Sequence, residues 1–422
     1  MSLPARGTAD AVRTYYAFNG VWSFLLALTF TLSAVYYVRD VGLSPLQLVL
    51  VGTTLELSCF LFEIPTGIVA DLYSRKLSII IGFVLIGAGF LLQALVPAFL
   101  AILAAQVLWG IGYTFTSGAD QAWITDEIGA DRVGPVFVRE QQVTLTGTIL
   151  GTVTAGALGL IALPVPMTVS GAGMILLGLV LVLVMPERNF HPTPRAERET
   201  FTHLAKTFRT GIAVARSRPV VRSLVLISLI SGLSSEAFDR LWTVKVLEFR
   251  FPEVFGTSDP AFWFTVLALI GTFLALAASL VVNRVSAARV NNLHPNGLLA
   301  FLAGLQVVGV IGFALIGSLW FALAAMWLSR VALTLAAPIE AAWLNRNLES
   351  GSRATVISMV SQANAIGQVA GGPPLGALAG RSLRTALMVS GLILTPIPWL
   401  YLRLRPAPDR AVTDRAATAG AD

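Results

Sequence analysis

The sequence predicts an all-α membrane protein with twelve transmembrane helices, arranged as two pseudo-symmetric six-helix bundles. Three observations lead to this fold class. Of the 422 residues, 55% are hydrophobic and only 12% are charged, which is too little polar surface to cover a soluble globule of this length. The apolar residues fall into blocks of about 20, long enough to cross roughly 30 Å of hydrocarbon as helices. The sequence also repeats itself over its two halves.

The first apolar block is full length and has no small-residue cleavage signal after it, so we expect it to remain as the first helix. Polar residues separate the blocks and place the first six spans near residues 15–38, 46–71, 77–97, 99–124, 137–161 and 166–185. The second six are expected near residues 222–246, 261–283, 297–316, 319–345, 354–379 and 384–402.

The polar stretch after the sixth span divides the chain, because it combines prolines, histidines and many charges, as linkers do. A helix near 201–215 within this stretch is expected to lie on the membrane surface. The predicted domains are a first bundle over 1–186, a cytoplasmic linker over 187–218, a second bundle over 219–405 and a disordered cytoplasmic tail over 406–422.

The basic residues predict the orientation. The side that holds both termini and the linker carries 22 Lys and Arg, whereas the other side carries 5. The positive-inside rule therefore places the termini and the linker in the cytoplasm of a cell-membrane protein. The net charge of +6 then serves topology and contact with anionic lipid, which argues against a nucleic-acid partner. Cys59 is the only cysteine, so neither an internal disulfide nor a cysteine-based metal cage can form.

The internal repeat is the strongest sign of organisation. One constant shift along the chain aligns tryptophans, acids, glutamines and glycines of the two halves without a gap: Trp22 with Trp242, Asn19 with Asp239, Asp120 with Glu340, Gln142 with Gln362, Gly147 with Gly367 and Gly151 with Gly371. Six helices is an even number, so the two repeats enter the membrane from the same side and form a parallel pair.

The loop between the second and third spans carries Gly67, Asp71, Arg75 and Lys76 in the pattern Gly-x-x-x-Asp-x-x-x-Arg-Lys. Asp71 and Arg75 are spaced to pair at the surface, and Gly67 would allow close approach of a neighbouring helix. This pattern resembles the signature of the major facilitator superfamily, and the layout resembles that family, including its drug-efflux members, over nearly the whole chain. The resemblance implies that Asp71, Arg75 and Asp126 form a charge cluster that latches the two halves in one conformation. The alternative is a basic loop with local ion pairs.

Two features depart from that family pattern. The second-half counterpart of the loop has Ala287, Asn291 and Pro295 at the motif positions, so any latch is asymmetric. Gln106 stands where many drug-exporting relatives carry arginine, which puts a direct transfer of their proton-coupling scheme in doubt.

Polar and aromatic side chains within the spans are candidates for a substrate or proton cavity, because ionisable residues at membrane depth cost roughly 2.5–3.5 kcal/mol each. Glu56 and Glu236 lie nearest mid-membrane and are the first candidates for proton binding. Alternatives are that Glu236 and Arg240 neutralise each other, and that Asp120 and Glu340 are helix-end acids beside interfacial tryptophans. The full set is Asn19, Trp22, Glu56, Asp120, Gln142, Glu236, Asp239, Trp242, Glu340 and Gln362.

Small residues and prolines in the fifth and eleventh spans predict close helix packing, which we favour over substrate contact, and a bend in the eleventh span. These positions are Gly147, Gly151, Gly371, Pro373 and Pro374.

The favoured function is proton-coupled export of a small amphiphilic organic molecule or drug by alternating access. A nutrient or metabolite importer of the same fold is the alternative, and a membrane enzyme or sensor is a weaker one. No phosphate-cradling Gly-Lys-Ser/Thr loop occurs, and no helix face clusters His, Cys and acids, which argues against ATP drive, an enzyme and a metal site. We therefore expect a monomer in the lipid bilayer that uses a proton or ion gradient and no cofactor.

Overall fold

The computed structural model describes residues 6–192, 219–286, 295–347 and 350–404. In these ranges the chain is all-α, apart from one isolated β-bridge between Val254 and Thr257. The predicted surface helix near 201–215, the tail over 406–422 and most of the linker lie outside the described residues. The helices are α1 Arg6–Arg39, α2 Pro45–Leu72, α3 Arg75–Leu95, α4 Phe99–Thr116, α5 Ala119–Ile128, α6 Ala130–Gly159, α7 Val165–Val184, α8 Pro219–Leu247, α9 Pro260–Ser286, α10 Pro295–Leu315, α11 Leu319–Asn347, α12 Ser350–Ala379, α13 Leu383–Ile393 and α14 Pro396–Arg403.

These helices combine into twelve segments of spanning length, which confirms the predicted fold class. The helices α4 and α5 form one segment, Phe99–Ile128, which is interrupted where Gly118 adopts a φ of +75°. The helices α13 and α14 form another, Leu383–Arg403.

Ten of the twelve segments are both long and apolar enough to cross a membrane. The helices α6 and α12 have 30 residues each but fall short in hydropathy, since hydroxyl and amide side chains recur along them. In α6, the hydroxyls of Thr146 and Thr154 each donate to the backbone carbonyl four residues earlier at 2.8 Å. Internal bonds of this kind satisfy polar side chains without water.

The chain breaks between α2 and α3, where the side chain of Ser74 caps α3 by accepting a hydrogen bond from the Leu77 amide at 2.9 Å. Asp71 therefore lies in the last turn of α2, and Arg75 is the first residue of α3. The pairing of Asp71 with Arg75 predicted from helical spacing is wrong, because the two residues do not share a helix. Among the described side chains, no ion pair joins them.

The packing of glycines verifies the repeat for most helices. In the first half, a methyl group at Gly89 would lie 2.8 Å from the carbonyl oxygen of Ala105. In the second half, a methyl group at Gly309 would lie 2.7 Å from the carbonyl oxygen of Ala325. Gly89 and Gly309 are related by the same shift as Gly147 and Gly367, and so are Ala105 and Ala325. The helices α3 and α4 therefore correspond to α10 and α11 in the predicted register.

The same register holds between the third and sixth segments of each half. A methyl group at Gly171 would lie 2.8 Å from the Leu91 amide nitrogen, and one at Gly391 would lie 3.2 Å from the Ile311 amide nitrogen. The predicted shift again relates these two contacts.

The first helix of each half follows a different register, which corrects the predicted alignment. Gly147 on α6 packs against Gly20 and Phe24 of α1. Its counterpart Gly367 on α12 packs against Leu229 and Leu233 of α8. Gly20 therefore matches Leu229 and Phe24 matches Leu233, which is a shorter shift than the one that relates the other helices.

The reason for this difference is loop length. The connection 248–259 after α8 is longer than the connection 40–44 after α1, so a constant shift cannot hold across it. The predicted equivalence of Trp22 with Trp242, and of Asn19 with Asp239, is wrong. In the corrected register, Trp22 corresponds to Ser231 and Asn19 to Ser228.

The described residues group into two compact units. One comprises those of Met1–Ala205, Ser235–Phe273 and Gln368–Leu387, and the other those of Lys206–Ser234, Leu274–Gly367 and Met388–Asp422. Parts of α8, α9, α12 and α13 thus belong with the first-half helices. This grouping follows contacts, and the domain limits set by the linker stay a prediction.

Candidate functional site

A buried ion pair lies on α8. The Nε atom of Arg240 is 2.9 Å from Oε1 of Glu236, and Glu236 is only 3% exposed. The two residues are one helical turn apart, as their spacing predicts. Since a lone charge is costly in this setting, each side chain supplies the counter-charge of the other.

Glycine makes room for this pair. A methyl group at Gly52 of α2 would overlap Oε1 of Glu236 and the guanidinium of Arg240. From α12, a methyl group at Gly372 would lie 2.9 Å from Oγ1 of Thr53 and 3.3 Å from Cγ of Glu236. Three helices, α2, α8 and α12, therefore converge closely on one buried carboxylate.

Glu56 follows Gly52 by one turn of α2 and faces the same cluster. The charges of Glu236, Arg240 and Asp239 all act on its carboxyl group. Within the described part of the chain, the Glu56 side chain has neither a hydrogen-bond nor an ion-pair partner. The site thus places the Glu56 carboxyl beside the ion pair of Glu236 and Arg240, and Glu56 has no partner of its own among the described residues.

A hydrogen-bonded chain of neutral side chains adjoins this cluster. The hydroxyl of Tyr37 donates to Oε1 of Gln93 at 2.6 Å, and Nε2 of Gln106 donates to the same oxygen at 3.1 Å. All three side chains are buried, and Tyr37 lies within electrostatic range of Arg240. Gln106 is therefore a neutral amide that is hydrogen-bonded within the core of the first half.

The predicted latch residues are brought together only in part. Arg75 pairs with Asp126 at 2.8 Å and so joins the start of α3 to α5. The ammonium of Lys76 donates to the Val182 carbonyl at 2.8 Å. Asp71 is exposed, and no described atom lies within 4 Å of a methyl group placed at Gly67. The close helix approach predicted at Gly67 is therefore not made by the described residues.

Two acids that the sequence analysis missed hold this end of the first half together. Glu187 accepts hydrogen bonds from the hydroxyl of Ser74 at 2.5 Å and from the amide of Lys76 at 2.9 Å. Glu127 is 5% exposed and accepts from the amides of Arg188 and Asn189 at 2.7 and 3.0 Å. For Glu187 the sequence offered one signal, since an acid directly after the sixth span can reach the positive end of a neighbouring helix.

The other predicted cavity residues of the first half are spread over two environments. Asn19 is buried and donates to the Tyr15 carbonyl at 3.0 Å, and Trp22 packs edge-on against Phe83 at 5.2 Å between ring centroids. Asp120 is half-buried, and its charge acts on Tyr15.

Gln142 and Gly147 instead line a groove of about 570 Å³ between α1 and α6. Arg139 donates to Gln142 at 2.6 Å at this groove. A methyl group at Gly147 or Gly151 would overlap α1, so both glycines serve close packing.

In the second half, Glu340 lines a separate cavity of about 330 Å³. Trp242 is half-buried beside Phe264 at 5.5 Å, and Asp239 is exposed. Gln362 donates to the Ser358 hydroxyl at 3.4 Å. The helix α12 continues through Pro373 and Pro374 to Ala379, and Gly371 on it is buried.

The chain resembles known transport proteins over most of its length. The family described as Major Facilitator Superfamily matches residues 17–372. A curated relative from Bacillus subtilis (strain 168), named "Uncharacterized MFS-type transporter YxaM", is 20% identical over 397 residues, which cover 93% of this chain and 95% of the relative.

Solved structures share the fold at low sequence identity. The nucleoside transporter NupG superposes with a TM-score of 0.75 at 13% identity, over 94% of this chain and 100% of that one. A bacterial homologue of the human lysosomal transporter Spinster gives 0.69 at 16% identity, over 96% and 100%. A POT family transporter in complex with 5-aminolevulinic acid gives 0.67 at 13% identity, over 95% and 96%.

Proposed function

The chain belongs to the major facilitator superfamily, and on that premise we propose that it is a proton-coupled secondary transporter that exports a small amphiphilic organic molecule by alternating access. The observation that carries the coupling proposal is the carboxyl of Glu56, which has no partner in the described ranges and lies beside the buried pair of Glu236 and Arg240. A transporter of this family moves its substrate without covalent chemistry, so the proposal concerns where protons bind and which contacts they control.

Charge balance supports proton binding at this cluster. With both carboxyl groups ionised, Glu56 and Glu236 place two negative charges beside the positive charge of Arg240. Excess charge away from bulk water is costly, and one bound proton removes part of it. Glu56 has no hydrogen-bond or ion-pair partner within the described residues, so a proton on its carboxyl breaks no existing contact. Glu56 is therefore the favoured proton acceptor.

The position of the cluster supports a role in the conformational cycle. Gly52 and Thr53 belong to the first half of the sequence, whereas Glu236 and Gly372 belong to the second. Alternating access in this fold requires helices of the two halves to separate and rejoin. A proton on Glu56 would change the charge that Arg240 meets at this contact, and so couple protonation to the separation of α2 from α8.

Export of an amphiphile is favoured by the groove between α1 and α6, which combines the aromatic rings of Tyr16 and Phe24 with the polar groups of Arg139 and Gln142. Import of a metabolite is the second candidate, because the solved structures with this fold include a nucleoside transporter and POT family transporters.

Proteoliposomes separate these possibilities. Vesicles that contain the purified protein and a panel of dyes, nucleosides and dipeptides are exposed to a pH gradient, and flux is followed in both directions. We expect gradient-driven accumulation that Glu56→Gln abolishes, while exchange of substrate across equal pH persists. Glu253→Gln, which changes an exposed carboxylate in the connection after α8, serves as the control. The proposal is contradicted if flux does not depend on the pH gradient, or if flux through Glu56→Gln remains fully coupled to it.

A further inference from the structure

We propose that the core of the second half contains a binding site for a small organic cation, with Glu340 as its counter-charge. The site lies inside one half of the molecule, so its existence does not depend on the direction or the coupling of transport.

The site is a cavity of about 330 Å³ whose lining residues all belong to α8, α10, α11, α12 and α14. Most of its wall is aliphatic. The polar side chains that line it are Ser228, Ser231, Gln306, Glu340, Asn364 and Tyr401.

Comparison with the first half gives a physical reason for this cavity. In the first half, the rings of Phe18, Trp22 and Phe83 pack together at positions that correspond to cavity-lining residues of the second half. Their centroids lie 6.2 Å apart for Phe18 and Phe83, and 5.2 Å apart for Trp22 and Phe83.

In the corrected register, Ser231 occupies the position of Trp22 and Ala303 occupies the position of Phe83. Both residues line the cavity. The loss of two large rings at matched positions therefore leaves a space that the amino-acid sequence itself specifies.

The chemistry of the wall favours a cation. Tyr401, which is 4% exposed, lines the same cavity as Glu340, and its hydroxyl lies within electrostatic range of the Glu340 carboxyl. Ser231 and Gln306 have no hydrogen-bond partner in the described part of the chain and are open to a ligand. A single carboxylate repels an anion and provides too few oxygens for a divalent metal ion. An ammonium group with a compact apolar body matches both the charge and the aliphatic walls.

Choline tests this inference, because 3,3-dimethylbutan-1-ol has nearly the same shape without the charge. Binding of each compound to the purified full-length protein in detergent is measured by thermal shift and by titration calorimetry. We expect saturable choline binding, and affinity for the alcohol that is lower by about tenfold or more. Glu340→Gln should weaken choline binding by a similar factor, and Glu253→Gln should leave it unchanged.

A filled cavity gives the second test. The double change Ser231→Trp and Ala303→Phe restores the first-half residues and should abolish choline binding. If that protein does not fold, Ser231→Leu alone should still reduce the affinity by reducing the space. The inference is overturned by equal binding of the alcohol, by unaltered choline binding to Glu340→Gln or to the folded filled variant, or by the lack of saturable choline binding.

Discussion

Glu236 and Arg240 neutralise each other within the membrane, and Gly52 is the residue that leaves them room. A helix contact between α2 and α8 with any larger residue at position 52 would displace the ion pair. One glycine thus sets both the distance between two helices and the environment of two charges. At this scale the role of each residue depends on its neighbour in space.

Removal of one charge of the pair should lower the free energy of unfolding more than removal of both. Arg240→Gln leaves the Glu236 carboxylate buried without a counter-charge, which should destabilise the protein by up to about 3 kcal/mol. The double variant Glu236→Gln and Arg240→Gln replaces two charges with two amides and should recover most of that loss. Thermal melting of the purified proteins in detergent measures both effects.

The matched control is Lys245→Gln with Glu248→Gln, a pair at 3.3 Å near the end of the same segment, in which the Glu248 side chain is 52% exposed. Because the Glu248 carboxylate is largely in contact with water, this pair should contribute less than the buried one, and these changes should shift the melting temperature only slightly. A double variant of Glu236 and Arg240 that is as unstable as Arg240→Gln alone would show that the ion pair is not the source of the loss.

Helix packing in both halves depends on glycines that face a neighbouring backbone. Gly147 meets α1 and Gly367 meets α8, at matched positions of the repeat. At the other end of the first half, Glu187 fixes the start of α3 and ties it to the chain that follows α7. The elements are therefore held by backbone approach within each half and by acids at helix ends.

Alanine substitutions at two glycines, one tightly packed and one not, should separate the effect of helix packing from the effect of helix propensity on stability. Gly147→Ala places a methyl group against the Gly20 carbonyl and should destabilise the protein by about 1–3 kcal/mol. Gly304→Ala, where no described atom lies within 4 Å, should be neutral or slightly stabilising, because alanine is the better helix former. Melting temperatures of the two variants give the comparison, and equal losses would argue against the packing role.

At the scale of the whole molecule, the distribution of basic residues predicts one orientation in the membrane. With 22 Lys and Arg on one side and 5 on the other, both termini are expected to face the cytoplasm. A green fluorescent protein fused after residue 404 should fluoresce, since this reporter folds in the cytoplasm. Alkaline phosphatase fused at the same point should be inactive, and activity of that fusion would reverse the predicted orientation.

The fold was accessible from sequence because lipid imposes a simple constraint. Backbone polar groups must be satisfied within each span, so apolar blocks of sufficient length become helices. That reasoning also placed α6 and α12, although their threonines and glutamines lower the hydropathy. The pairing of Glu236 with Arg240 was predicted for a similar reason, since it depends on local spacing along one helix.

The fold class, the twelve spans and the repeat could thus be predicted from the sequence, because each depends on residues close together along the chain. Contacts in three dimensions were needed to find that α1 matches α8 in a different register, that Asp71 and Arg75 belong to separate helices, and that Gly52 adjoins Glu236. They also showed that aromatic rings pack in the first half at positions where the second half has a cavity. These features depend on loop lengths and on contacts between residues far apart in sequence. The spacing of residue types along the chain reports on neither of them.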